Sequence, residues 1–217
     1  TMLNNMFKKI TASANKRSKT GSNPPAELPA RFTITEASEI LKKSFAVLGN
    51  EYNTEIANLL DPAKGRIDIS GGENRIPIRG TASVYPVHPS IFYAYNYEGY
   101  IIDLTLLAHE AGHAVQASLM ANNKVPLMYA SGPGYFTESF GRFNELLLFD
   151  YLTRHEKDSV KQKMYSAELK ERIEVLYGSA AEAYIEYSLI NGVIENKITS
   201  PDDLDSITYK AGSAISP

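Results

Sequence analysis

Apolar and polar positions change rhythm several times along this chain. From residue 35 the spacing is helical: Ile40, Leu41, Phe45 and Leu48 mark one stripe, with Thr35 as the expected N-cap and Gly49 as the stop. A second helix is expected over 51–60, closed by Asp61-Pro62. Residues 63–100 are rich in Gly, Pro, Tyr and β-branched types, which predicts short strands and turns, with 75–79 and 90–97 as the leading strand candidates. The stretch 101–120 is apolar on most sides and free of proline, the pattern of a buried helix rather than a surface one. Another helix over 136–152 is entered from the turn Ser131-Gly132-Pro133-Gly134. Leu169, Ile173, Leu176, Ala180, Tyr184 and Leu189 then predict a helix over 161–191, with Gly178-Ser179 as a point of interruption and Asn191-Gly192 as its end. Ser200-Pro201-Asp202-Asp203 predicts one last short helix, with a cap, a proline in the first turn and acids at the positive helix end. The expected fold is mainly α (α+β), with a small β-sheet between helical segments.

The buried helix carries the chemistry. It contains His109-Glu110-Ala111-Gly112-His113, and residues four apart on a helix sit one above the other, so both imidazoles reach a single cation. Glu110 lies beside that coordination sphere, where a general base for a metal-bound water belongs, and His-Glu-x-x-His on a helix is the zinc peptidase signature. Two core histidines bonded to backbone would be the plain alternative, but that gives Glu110 no role. Gly112 fits a helix against which another backbone packs closely; otherwise it weakens the helix by about 1 kcal/mol.

A catalytic zinc site takes a third protein ligand and leaves a fourth position open. Of four histidines, neither His88 nor His155 has helical context tying it to the motif. Glu138 is the better candidate: Glu138, Gly141, Arg142 and Glu145 share one face of the 136–152 helix, and Gly141 would let that helix approach the motif closely. The same polar stripe on an exposed edge is the alternative. Ligating histidines usually donate their other N–H to a carboxylate or carbonyl, and Glu145 or Asp103 is the expected partner. Tyr135, just ahead of Glu138, is expected either to touch substrate or to staple the helix start.

The motif, Glu138 twenty-five residues after His113, and then Asn144-Glu145 together resemble the oligoendopeptidase F / thimet oligopeptidase family of zinc peptidases. Asp61-Pro62-Ala63-Lys64-Gly65-Arg66 is similar to that family's Lys-Gly-rich loop, and 90–97 to the edge strand that runs along its substrate. The resemblance covers roughly residue 32 to the C-terminus. It implies a zincin-like helical catalytic core of the gluzincin type, with an edge strand lining the active site. It also implies one zinc on His109, His113 and Glu138, and hydrolysis of oligopeptides with Glu110 as general base. Family members carry a large helical lobe ahead of this core and a His- and Tyr-rich segment after it that helps stabilise the tetrahedral intermediate. Here about thirty residues precede the match, and Pro217 is reached without such a segment. The expectation is therefore a core belonging to a longer polypeptide (32–217) behind a basic linker or arm (1–31). A relative of the same fold that binds zinc but is catalytically impaired is the alternative, and an accidental motif in a helical interaction module is a third reading.

Composition narrows this picture slightly. A chain of 217 residues with 43% hydrophobic and 22% charged side chains has ordinary globular values. The absence of cysteine leaves oxygen and imidazole as metal donors and fits a cytoplasmic setting. A net charge of −3 argues against a general nucleic-acid binder, and no run of residues has the length and apolarity of a membrane span. Lys8, Lys9, Lys16, Arg17 and Lys19, followed by Ser-Asn-Pro-Pro, predict a solvated basic arm without the apolar stretch of a secretory signal.

Overall fold

The computed structural model describes residues 31–70, 72–74, 80–82, 91–92, 97–129 and 134–215. Residues 1–30 of the expected basic arm (1–31) and the expected strand at 75–79 lie outside them. Helix α1, Ile34–Ser44, is capped by Thr33 rather than Thr35. The Glu36 N–H donates to Thr33 Oγ1 while the Glu36 carboxylate accepts from the Thr33 N–H, so two otherwise orphaned donors are satisfied at once. A 3-10 turn, Ala46–Leu48, and Gly49 at φ +89 lead into α2, Asn50–Leu59. Asp61 then caps a second 3-10 turn, Pro62–Lys64, ended by Gly65 at φ +62.

Three short strands follow: β1 (Ile67–Asp68), β2 (Thr81–Ala82) and β3 (Ile91–Phe92). Their order is β1-β3-β2, with β3 parallel to β1 and antiparallel to β2. This corrects the sequence reading. Among the described residues, Ile91–Phe92 of the expected 90–97 strand is central rather than an edge, and the edge strand that meets the motif helix is β2, beside β3. Short strands with few alternating positions give weak pairing signals, so their order is set by what they pack on.

Helix α3, Ile101–Asn122, runs under the sheet. Helix α4, Gly134–His155, packs along it, α5 (Ser159–Ile194) packs on α4, and α6 (Pro201–Ile215) returns along α5. The core gathers Leu41, Phe45, Ile56, Leu104, Leu107, Leu148 and Phe149, all fully buried. Each such side chain contributes about 1.5–3 kcal/mol through removal from water. Mixed burial all round α3, including Leu104, Ala108, Ala111 and Val115, bears out its apolar pattern.

Two expected breaks are absent. α5 runs straight through Gly178-Ser179 and continues past Gly192 to Ile194. The residue that ends it is Asn196 at φ +55, with Asn196 N–H donating to Val193 O and Lys197 N–H to Gly192 O. Gly192 is instead a contact residue, where a Cβ would meet Ile198 and Ile207 of the returning segment at 2.9 Å. Among the described residues, no helix is long and apolar enough to cross a membrane.

Candidate metal centre

Helix α3 enters the site with its head fixed by Asp103, whose carboxylate accepts from the backbone N–H groups of Glu98 and Tyr100. Asp103 therefore serves the start of the helix, and the carboxylate bonded to His109 is Glu145. Two turns on, His109 and His113 point the same way, with their Nε2 atoms 3.1 Å apart. Glu138, in the first turns of α4, completes the cluster: its carboxylate lies 3.4 Å from His109 Nε2 and 3.7 Å from His113 Nε2. Donors about 2.1 Å from a tetrahedral ion stand roughly 3.4 Å from one another, so the three separations match one face of such a site. Two imidazoles and a carboxylate, without cysteine, are also the donor chemistry of catalytic zinc. The three side chains could hold a metal ion.

Small residues make this convergence possible. A Cβ on Gly112 would sit 2.6 Å from the Phe140 carbonyl oxygen, and one on Gly141 would sit 2.6 Å from the His109 ring. Each helix thus offers a glycine where the other presses closest. The expectation that Glu138, Gly141, Arg142 and Glu145 share a face is met, since all four turn toward His109 or its bonded carboxylate.

Both rings are held from behind. His109 Nδ1 donates to Glu145 Oε1 at 2.6 Å, which leaves Nε2 as the free donor atom. The ring of His113 donates to the backbone carbonyl of Thr137, the residue before Glu138. Burial alone would depress His109, but the bonded Glu145, with Glu110 and Glu138 nearby, holds its pKa above the usual imidazole value. Burial and the neighbouring His109 push His113 below it. Burial works against Glu145 too, yet His109, Arg142 and Arg172 together hold its carboxyl below the ordinary range.

Glu110 stands outside the donor cluster, on the side of the sheet. Burial raises its pKa and Glu138 reinforces the rise; His109 and a hydrogen bond from the Ala82 N–H on β2 oppose it. The edge strand β2 therefore lines the site at Glu110, though it is not the strand named from the sequence. Tyr135 lies in the first turn of α4, and its side chain is outside the described set.

Sequence reasoning gave no role to several residues that build this site. Asn144, almost fully buried, donates to the Ala108 carbonyl at 3.0 Å and accepts from the Tyr52 hydroxyl at 2.8 Å. It thereby ties α2 and α4 to the backbone just ahead of His109, and burial raises the Tyr52 hydroxyl to about 12. Arg172 reaches in from α5 to Glu145. The only advance signal was a polar Asn-Glu pair inside an apolar helix.

No protein-family profile matches the chain. It is similar to the chromosomal oligoendopeptidase F of Lactococcus lactis subsp. cremoris, 27% identical over 62% of this chain and 22% of that protein. It is also similar to an oligoendopeptidase F homolog of Borreliella burgdorferi, 29% identical over 71% of this chain and 26% of the relative. The chain thus spans about a quarter of the length of the curated relatives it matches. Its fold is shared with the crystal structure of a provisionally assigned peptidase from Chlamydophila abortus, at a TM-score of 0.65 and 24% identity, covering 88% of this chain and 31% of that one. The resemblance to oligoendopeptidase F, confined to one core portion, is borne out.

Proposed function

We propose that residues 32–217 are the catalytic core of a zinc-dependent endopeptidase acting on oligopeptides. The observation that carries this reading is the meeting of His109, His113 and Glu138 at one point, with a separate carboxylate, Glu110, beside them and outside the cluster. A zinc ion held there would lower the pKa of water and polarise a scissile carbonyl. Glu110 accepts the proton of the attacking water on its carboxylate and passes it to the leaving amine, a use served by a carboxyl whose proton affinity burial has raised. The Ala82 N–H holds that carboxylate in place from β2. Glu145 fixes the tautomer of His109, and the Thr137 carbonyl does the same for His113.

The test has two parts. Metal analysis is expected to find one zinc per chain, lost in His113→Ala; a wild-type protein without zinc would overturn the reading. Cleavage of a quenched oligopeptide is expected to fall about 10²–10⁴-fold in Glu110→Gln while zinc is retained. Equal turnover in wild type and Glu110→Gln would remove Glu110 from the mechanism, and zinc binding without turnover in wild type would leave a metal-binding core that does not catalyse.

A further inference from the structure

Glu145 is bonded on both oxygens, and the partners come from three helices, its own included. Its Oε1 accepts from His109 Nδ1 at 2.6 Å and from Arg142 Nη1 at 3.1 Å. Its Oε2 accepts from Arg172 Nε at 2.9 Å. Arg172 is itself fixed three ways: on α5, Nη1 donates to the Glu168 carboxylate at 2.5 Å and to the Glu168 carbonyl at 3.2 Å, and on α4 the Phe149 ring centre lies 4.1 Å from the guanidinium. Only about a sixth of the Arg172 side chain is exposed, against nearly half of Arg142. A planar guanidinium with its forks occupied and one face on an aromatic ring has little freedom left.

An isolated carboxylate next to an imidazole can rotate. Two guanidiniums on the same carboxylate, one on each oxygen, oppose that rotation. From this geometry we infer that Arg172 is a positioning residue for the metal: acting through Glu145, it locks the His109 ring with Nε2 toward His113 and Glu138. The inference rests on the proposed zinc centre, and it makes the docking of α5 on α4 part of metal retention. Arg142 supplements the lock from the exposed side.

The experiment measures zinc affinity by chelator competition and the visible spectrum of the cobalt-substituted protein. Arg172→Met keeps the stem on Phe149 and removes the charge. It is expected to weaken zinc about tenfold, at the lower end of what partners of metal ligands contribute, and to change the cobalt spectrum. In a Glu145→Gln background the same change is expected to have no further effect, because its route to the metal is already gone. Unchanged affinity and spectrum in Arg172→Met, or additive losses in the double variant, would overturn the inference. Should Arg172→Met fail to fold, Arg172→Lys decides: affinity reduced several-fold is expected, and wild-type affinity would show that the guanidinium is not required. A wild type that binds no metal would instead defeat the zinc centre itself, before any variant is compared.

Discussion

Helices α3 and α4 form one kind of pair in this molecule, and α5 and α6 another. Between α3 and α4 a backbone meets a backbone at Gly112, polar side chains bridge the helices at Asn144 and Glu145, and Leu104, Leu107, Ala111, Leu148 and Phe149 are fully covered, although Ile102, Phe136 and Phe143 are exposed. Along α5 only Tyr165 and Gly192 are buried, and Tyr177, Tyr187, Val193 and Ile194 stand more than half exposed. α5 packs on α4 and is accompanied by α6 along its later part. Both pairs are helical with apolar faces, but only the first is held by burial from several sides. Periodicity in a sequence reports that a face is apolar; it does not report how much of that face finds a partner.

The largest contrast is expected from truncating core against arm. Leu107→Ala, at a fully buried position, should destabilise the protein by about 2–5 kcal/mol, whereas Ile194→Ala should stay within about 0.5 kcal/mol. Urea unfolding of both variants measures this, and equal effects would erase the distinction between the pairs.

A single kind of substitution should then give opposite signs. Gly112→Ala places a methyl 2.6 Å from the Phe140 carbonyl oxygen, so the helices must separate, at about 1–3 kcal/mol. Gly178→Ala meets nothing within 4 Å inside a continuous helix, and should stabilise by about 0.5–1 kcal/mol. Thermal melts of the two variants, moving down and up respectively, would sharpen the comparison; a stabilising Gly112→Ala would break it.

The smallest effect belongs to the start of α6. The Asp203 carboxylate accepts from the N–H and hydroxyl groups of Thr199 and Ser200, which lowers its pKa from 3.8 to about 2. A depressed carboxyl stabilises the folded form above its unfolded pKa and loses that contribution as pH falls toward 2. NMR titration of the Asp203 side chain should show a midpoint near 2. A midpoint near 3.8 would mean that this cap does not form in solution.

Legibility in the sequence followed the same division. The α3 helix, its motif and the Glu138 face were readable because each rests on spacing within one helix, and the cap at Ser200-Pro201-Asp202-Asp203 was readable for the same reason. Thr33 was passed over for Thr35, although Thr33-Ile34-Thr35-Glu36 holds the spacing of a reciprocal cap. The place of β3 in the sheet was illegible because pairing order depends on distant partners. Gly178 and Gly192 were taken as breakers, yet a long helix accepts glycine wherever packing or neighbouring turns hold it. Asn144 and Arg172 act across 36 and 27 residues of chain, on Ala108 and Glu145; the Asn144-Glu145 pair marked the first without its partner, and no local pattern announces the second.

The paired glycines at 112 and 141 have one more consequence. Backbone contact at Gly112 and the His109 ring against Gly141 set the gauge between the two helices, so the imidazoles keep a fixed distance from the backbone that carries Glu138. Glu138, more than half exposed, is the adjustable jaw. Were an ion held by the three side chains, the swing of that carboxylate, rather than a shift of either helix, would adapt the site to its radius.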